Sequence, residues 1–201
     1  MIDTAIAGEK AGTMGETRAV VIIHHGKLVA EAYRDGFGPE TKQVSWSMAK
    51  SVTSALVGRA VKLGLIKDID ADNDVIQMMF GPGKYDVLAY IKAELPPLHE
   101  PGTVWNYSTA AFHLIGHALQ GLTTEESSAV SFSSWFSRAL SDPIGMNALI
   151  EFDASENYLG GSLVWASARD FAKFGYLYLR DGVWDGQRLL PEGWVDFSRS
   201  H

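Results

Sequence analysis

The chain has 201 residues, of which 46% are hydrophobic and 20% are charged, as is typical of a soluble globular domain with its own core. Its formal net charge is −7 and it contains no Lys/Arg cluster, which argues against binding to nucleic acid or to an anionic membrane. It has no cysteine, so disulfides and cysteine-bound metals are excluded.

The N-terminal part begins with a polar stretch and continues with two apolar runs. Residues 1–17 are small and polar with several glycines, and we predict a flexible arm there. The arm lacks the basic and apolar regions of a signal peptide, and no apolar run approaches membrane-spanning length, so we expect a cytoplasmic protein. The β-branched run 19–23 and the run 28–33 flank the turn residues His25-Gly26-Lys27, a pattern that predicts a β-hairpin.

The next element is a helix with almost no charge. We predict that it runs from Ser47 to Leu63 and ends at Gly64. Lys50 is the only charged residue from Val44 to Gly58. An apolar stripe is formed by Met48, Val52, Ala55 and Leu56, and a second stripe consists of small residues. A helix without a charged face is packed on several sides, so we expect a buried central helix.

The second half of the chain is predicted to be mostly helical. We expect an acidic loop at 67–74, helices at 109–119 and 133–140, a helix opened by the Ser167/Asp170 capping box, a tight hairpin turn at Asp185-Gly186, and a last helix starting at Pro191. The two predicted hairpins provide fewer strands than a stable sheet needs. We therefore expect a single domain over residues 18–201 that is incomplete at its C-terminal end.

The spacing of Ser47 and Lys50 carries the first chemical signal. Residues three apart on a helix share one face, so the two side chains are within reach of each other. No carboxylate lies three or four residues from Lys50 in the sequence. Lys50 is therefore not one of the lysines that form ion pairs along an exposed helix face. Burial disfavours a charged lysine, and a neutral lysine can take the proton of a serine hydroxyl. The pair is therefore a candidate nucleophile and base.

Tyr107 is the candidate proton shuttle. It follows the Pro101-Gly102 turn and directly precedes a predicted helix, where its phenol could point into a cleft. A nearby ammonium lowers the pKa of a phenol and lets tyrosinate act as a base. The alternative is an aromatic packing residue.

These motifs together resemble the serine β-lactamase and penicillin-binding-protein superfamily. The resemblance rests on Ser47-Met48-Ala49-Lys50-Ser51-Val52, on Pro101-Gly102-Thr103-x-Trp105-x-Tyr107-Ser108, and on the later stretches 165–175 and 182–191. It is closest to the class C-like branch, which includes esterases and 6-aminohexanoate-dimer hydrolases. The resemblance implies an α+β fold in which an antiparallel sheet packs against helices and the nucleophile lies on a central helix.

The resemblance also assigns roles. Ser47 would be the acylated nucleophile, Lys50 its base partner and Tyr107 the second base and proton shuttle. The backbone N–H of Ser47 would form half of the oxyanion hole, and Thr109 would contact the substrate. The implied substrate is a small ester or amide, with β-lactams and ω-amino-acid oligomers as examples, and no cofactor or metal is implied.

The chain departs from the family pattern at three places. Thr109 stands where the family often has Asn, the usual insertion is missing after Asp74, and no Lys-Thr-Gly or His-x-Gly element follows Leu190. His24-His25-Gly26 matches the letters of that element but precedes the nucleophile, so we reject it. Losing one oxyanion donor lowers the rate by about 10²–10³, so we expect this chain to have weak or no activity.

Two alternatives remain open. The first is a non-catalytic remnant that keeps the fold and at most binds a ligand. The second is a metal-dependent hydrolase, because His113 and His117 have metal-compatible spacing on a helix. The accompanying Glu and a third ligand are missing, so we interpret both as packing or surface histidines. The acidic stretch 68–74 lacks the glycine and closing glutamate of a calcium loop. The oligomeric state is open.

Overall fold

The computed structural model describes residues 6, 17–65, 82–95, 99–100, 103–104, 107–125 and 128–199. The predicted arm, except residues 6 and 17, and the predicted acidic loop at 67–74 lie outside these ranges, as do Pro101 and Gly102. No helix of the described ranges is long and apolar enough to cross a membrane.

The first structural unit is the predicted hairpin. Strand β1 (Ala19–His24) pairs antiparallel with β2 (Lys27–Tyr33). The two connecting residues, His25 and Gly26, both have positive φ angles of 48° and 74°. Such a two-residue turn matches the twist of the strands, so the hairpin prediction is confirmed.

Three short strands that the sequence did not predict form a second sheet. They are β3 (Gln43–Val44), β4 (Leu149–Ile150) and β5 (Val164–Ala166), and β5 pairs antiparallel with both of the others. Each has only two or three residues, which is too short for an alternating pattern to stand out. This sheet joins the segment before the central helix to the later part of the chain.

The helices pack around the predicted central one. In chain order they are α1 (Ala49–Lys62), α2 (Val87–Glu94), α3 (Thr109–Thr123), α4 (Ala129–Phe136, continued by a π-helical turn over Ser137–Ser141), α5 (Ala168–Leu179) and α6 (Trp194–Phe197). Side chains of Asp86, Ser108, Ser128 and Ser167 cap the starts of α2 to α5, because each accepts an N–H of the first turn.

Several predicted boundaries need correction. Helix α3 continues four residues beyond Leu119, and α4 starts at Ala129 rather than at 133. The last helix starts at Trp194, after Gly193 with a φ of 75°, and not at Pro191. The Ser167/Asp170 capping box is confirmed. The Asp185-Gly186 turn is also confirmed, between β6 (Val183–Trp184) and β7 (Gln187–Arg188).

The main hydrophobic core surrounds α1. Its largest fully buried side chains come from α1, α3, α4, α5 and the segments that follow α4 and α5: Leu56, Leu119, Phe132, Phe136, Leu140, Ile144, Tyr158, Leu177, Leu189 and Leu190. Gly58 of α1 allows a close approach of α6, since a Cβ atom there would lie 2.7 Å from the Trp194 ring. The architecture is α+β, as predicted, with the central helix buried.

Candidate active site

Ser47 lies in a 3₁₀ turn (Trp46–Met48) that precedes α1. The predicted continuous helix is therefore wrong at its start, because the α-helix begins at Ala49. The same turn exposes Met48, which the sequence predicts as part of the apolar stripe of the helix. Ser47 is exposed as well, so its hydroxyl is accessible to a ligand.

Hydrogen bonds made by the residue two positions before Ser47 hold this turn in place. The N–H of Ser45 donates to the Val164 carbonyl at 2.8 Å, and the N–H of Val164 donates to Ser45 Oγ at 3.0 Å. Trp46 has a φ of 45°, which is rare for a bulky side chain and is tolerated only where surrounding contacts hold it. Strand β5 thus fixes the turn that presents Ser47.

Lys50 points inward from the first turn of α1 and is only 7% exposed. Its Nζ donates to the Gly161 carbonyl at 2.7 Å. The same nitrogen lies 4.9 Å from the centre of the Tyr107 ring and 5.9 Å from that of Phe112. No described carboxylate forms a salt bridge with it. One carbonyl and two aromatic rings therefore hold this lysine in place.

Tyr107 comes directly before Ser108, the N-cap of α3, and is 51% exposed. A hydrogen bond with Ser47 lowers the pKa of Tyr107, and the hydrogen bond and charge of Lys50 act in the same direction, against the effect of burial. A lowered pKa makes the phenolate a more available base. The structure therefore brings Ser47, Lys50 and Tyr107 together from two segments of the chain.

Thr109 lies at the start of α3 and is 1% exposed. A Cβ atom on Gly161 would lie 2.6 Å from its Cγ2 atom, so the threonine methyl is packed against that glycine. This placement leaves little of Thr109 accessible, and its contact with substrate stays a prediction.

The site also contains residues that sequence reasoning missed. Gly161 supplies the carbonyl for Lys50, and Gly160 supplies one for the Thr53 hydroxyl at 2.7 Å. A Cβ on Gly160 would lie 2.9 Å from Thr53 Oγ1 and 3.0 Å from the Phe112 carbonyl oxygen. The Gly160-Gly161 pair was a signal, since adjacent glycines mark a close approach of two backbones.

The two histidines of α3 have different surroundings. His113 is completely buried and His117 is exposed. Among the described residues, no group of three or more His, Cys, Asp or Glu side chains is placed to hold a metal ion.

A cavity of about 440 Å³ adjoins the Lys50 and Tyr107 side chains. Its remaining lining consists of four serines, two aromatic residues and one arginine: Ser51, Ser54, Ser108, Ser198, Phe112, Tyr178 and Arg199. This volume is in the range of small-molecule sites.

Comparison with known proteins gives a match in structure. No protein-family model and no curated protein sequence matches the chain. Among solved structures, it is similar to a Bacillus anthracis protein provisionally assigned as a 6-aminohexanoate-dimer hydrolase, with a TM-score of 0.66 and 20% identity over 90% of this chain. The chain has the fold of β-lactamase and penicillin-binding-protein homologues. The resemblance drawn from the motifs is thereby confirmed at the level of the fold.

Other proteins with the β-lactamase-like fold match equally well. An octameric penicillin-binding-protein homologue from Pyrococcus abyssi has a TM-score of 0.65 and 15% identity over 89% of this chain. A penicillin-binding-protein homologue from Caulobacter crescentus has a TM-score of 0.66 and 13% identity over 97%. This chain spans 58%, 55% and 73% of the Bacillus, Pyrococcus and Caulobacter chains.

Proposed function

We propose that the chain is a serine hydrolase that cleaves an ester or amide bond through an acyl-enzyme on Ser47. The observation that carries the proposal is the convergence of the exposed Ser47 hydroxyl, the buried Lys50 amino group and the Tyr107 phenol. A serine hydroxyl is a weak nucleophile unless a neighbouring base takes its proton. The lowered pKa of Tyr107 and its hydrogen bond with Ser47 support that role for the pair of Tyr107 and Lys50.

The proposed acylation moves one proton and exchanges one bond. Ser47 Oγ attacks the carbonyl carbon of the substrate while its proton passes to the Tyr107 oxygen beside Lys50. The carbonyl oxygen becomes an oxyanion, for which the backbone N–H of Ser47 is the proposed hydrogen-bond donor. The bond to the leaving group then breaks, and Tyr107 returns the proton to that group. Water repeats the sequence on the acyl-enzyme and releases the acid.

The proposed substrate class is based on the cavity beside Lys50 and on the names of the similar structures. The cavity beside Lys50 and Tyr107 has the size for a small molecule. The similar Bacillus and penicillin-binding-protein structures carry names that refer to an amide oligomer and to penicillin. We propose a small ester or amide, including β-lactams and ω-amino-acid oligomers, as the substrate of Ser47.

A burst experiment tests this proposal. Mixing the chain with p-nitrophenyl acetate should release close to one equivalent of p-nitrophenol, followed by slower turnover, because p-nitrophenolate leaves the tetrahedral intermediate more easily than the serine alkoxide does in the hydrolysis of the acyl-enzyme. Ser47→Ala should abolish the burst. Ser134→Ala, which removes an exposed hydroxyl from α4, should leave it unchanged. A burst that survives Ser47→Ala, or that disappears on adding a chelator, would contradict the proposal.

A second candidate is a fold that binds a ligand without cleaving it. It is favoured by the burial of Thr109, which is 1% exposed and leaves little of that side chain for a substrate to contact. Two results together would support this candidate over the hydrolase. The protein would bind a penicillin saturably without an increase in its own mass, and it would show no p-nitrophenol burst with p-nitrophenyl acetate.

A further inference from the structure

A β-turn at residues 159–162 lies against helix α1. The N–H of Ser162 donates to the Leu159 carbonyl at 3.2 Å and closes the turn. The carbonyls of the two central residues, Gly160 and Gly161, each accept a hydrogen bond from a side chain of α1. The turn is therefore attached to the central helix through the carbonyls of its two central residues.

The two donating side chains are three residues apart on α1. Lys50 Nζ donates to the Gly161 carbonyl at 2.7 Å. Thr53 Oγ1 donates to the Gly160 carbonyl, also at 2.7 Å. Residues three apart lie on the same side of a helix, so Lys50 and Thr53 together hold two consecutive carbonyls of one turn. Lys50 is 7% exposed and Thr53 is 0% exposed, so solvent competes little with either bond.

The two glycines depend on these bonds for their orientation. A glycine has no side chain to pack, and its backbone adopts more conformations than that of other residues. The residues on either side of the turn are held by different groups. The N–H of Tyr158 donates to Gln120 Oε1 at 2.9 Å. The N–H of Val164 donates to Ser45 Oγ at 3.0 Å. The bonds from α1 are therefore the contacts that fix the glycine carbonyls themselves.

The direction of the hydrogen bonds around Thr53 follows from their chemistry. The hydroxyl has a single hydrogen, which goes to the Gly160 carbonyl because a carbonyl can only accept. The Tyr158 phenol lies 3.1 Å from Thr53 Oγ1 and must therefore donate to it. Burial raises the pKa of Tyr158 to about 12, which keeps this phenol protonated. Removing the phenol would cost Thr53 a donor and leave its bond to Gly160 in place.

We propose that Thr53 is a positioning residue that keeps the Lys50 amino group beside Tyr107. It fixes the turn whose next carbonyl, that of Gly161, accepts the lysine hydrogen bond. Without the threonine hydroxyl the turn loses one of its two bonds to α1, and a turn that shifts carries the lysine with it. The inference rests on the proposed acyl-enzyme mechanism for its meaning, and on the ionisation of Tyr107 for its test.

The test measures the ionisation of Tyr107 by ultraviolet difference titration, in which each variant is compared with the same variant carrying Tyr107→Phe. A hydrogen bond with Ser47 and the hydrogen bond and charge of Lys50 lower the pKa of Tyr107. Thr53→Val keeps the shape of the side chain without the hydroxyl. We expect it to raise the Tyr107 midpoint by about one pH unit, because a displaced lysine stabilises the phenolate less. Thr53→Ser keeps the hydroxyl and should stay within a few tenths of the wild-type midpoint.

Two further variants separate the bond to Gly160 from a general loss of stability. Tyr158→Phe removes the donor to Thr53 and leaves the bond from Thr53 to Gly160 in place. It should lower the melting temperature, because a buried hydrogen bond is lost, but leave the Tyr107 midpoint unchanged. Thr123→Val removes a hydroxyl that donates to a carbonyl of its own helix, α3. It is the matched control for the substitution and should also leave the midpoint unchanged.

Three results would overturn the positioning role. They are an unchanged Tyr107 midpoint in Thr53→Val, equal shifts in Thr53→Val and Thr53→Ser, and equal shifts in Thr53→Val and Tyr158→Phe. The last would mean that lost packing, and not the lost bond to Gly160, moves the lysine. Should Thr53→Val not fold, the double variant with Tyr158→Phe carries the same expectation, because it leaves no phenol without an acceptor.

The p-nitrophenol burst, measured on the same proteins, separates this inference from the proposed function. A burst together with an unshifted Tyr107 midpoint in Thr53→Val contradicts only the positioning role. The expected shift in a protein that shows no burst supports the positioning role and contradicts only the hydrolase.

Discussion

Helix α1 and the β1–β2 hairpin are held to the rest of the protein in different ways. Ten of the 14 residues of α1 are buried, whereas no residue of the two strands is. The hairpin is fastened by packing against α5 and by the ion pair in which Arg169 Nε donates to Glu31 at 2.7 Å. The position of Lys50 therefore depends on the core, whereas we expect that the hairpin can be altered without moving the site.

The largest difference between the two regions should appear when a lysine is removed from each. Lys50→Met takes away the amino group beside Tyr107 and should slow the p-nitrophenol burst by roughly 10²–10⁴-fold, the usual contribution of general acid–base catalysis. Lys27→Met removes an exposed lysine at the hairpin turn and should leave the burst rate unchanged. Stopped-flow absorbance measures both rates, and equal rates in the two variants would contradict the site assignment.

A matched pair of leucines measures the difference in packing. Leu56 of α1 is 0% exposed and Leu28 of β2 is 45% exposed. Leu56→Ala should lower the free energy of unfolding by about 2–5 kcal/mol, because it leaves a cavity in the core. Leu28→Ala should change it by less than about 0.5 kcal/mol. Urea unfolding followed by circular dichroism gives both values, and similar losses would mean that the hairpin is part of the core.

A pair of arginines compares the two regions at polar positions: Arg59 is buried in α1, and Arg18 is exposed before β1. Arg59 Nε donates to the Ala139 carbonyl at 2.6 Å and its Nη1 to the Leu189 carbonyl at 2.7 Å, and burial lowers its pKa. Arg59→Met removes both charged hydrogen bonds and should destabilise the fold by about 3 kcal/mol. Arg18→Met, an exposed arginine before β1, should change stability by less than about 1 kcal/mol in the same urea titration.

The smallest effect concerns the ion pair of the hairpin and its dependence on pH. Hydrogen bonds from Arg169 and Tyr33 lower the pKa of Glu31 from 4.5 to about 2. A carboxylate with a lowered pKa in the folded state contributes stability that is complete above its unfolded value and is lost as the pH falls from about 4.5 to about 2. Both partners are partly exposed, so solvent screens the pair and the contribution is small.

The variant Glu31→Gln removes this contribution. Its melting temperature should lie slightly below that of the wild type at pH 7, and the two should converge as the pH approaches 2. Glu40→Gln, whose carboxylate is 83% exposed and lies 3.8 Å from Arg169, is the control and should follow the wild type at every pH. A gap that widens on acidification would show that the pKa of Glu31 is not lowered.

The sequence predicted those elements whose signal is local. The Ser167/Asp170 capping box and the Asp185-Gly186 turn specify their own geometry within a few residues, and both appear as expected. The uncharged stretch around Lys50 predicted a buried helix for the same reason. Tyr107 was placed correctly before a helix because Ser108 is a strong N-cap.

Elements that depend on distant partners were not predictable in this way. The three strands of the second sheet have two or three residues each, and β3 exists only because it pairs with β5 more than 100 residues away, as Val44 does with Trp165. The 3₁₀ turn at Ser47 has the same origin, since it is fixed by the bonds between Ser45 and Val164. The role of Gly161 becomes visible only once α3 lies against the segment that contains this glycine. The expectation of further strands after residue 201 stays a prediction.

The most direct test of the account is the position of a covalent adduct. After incubation with a fluorophosphonate, trypsin should release the peptide 43–50, which contains two serines, Ser45 and Ser47. Ser45 is 4% exposed and its Oγ accepts the Val164 N–H, so the two hydroxyls differ in accessibility within one peptide. The account predicts that fragment-ion mass spectrometry locates the phosphonate on Ser47 alone. An adduct on Ser45 or on another peptide, or an unmodified peptide 43–50 at saturating reagent, would contradict it.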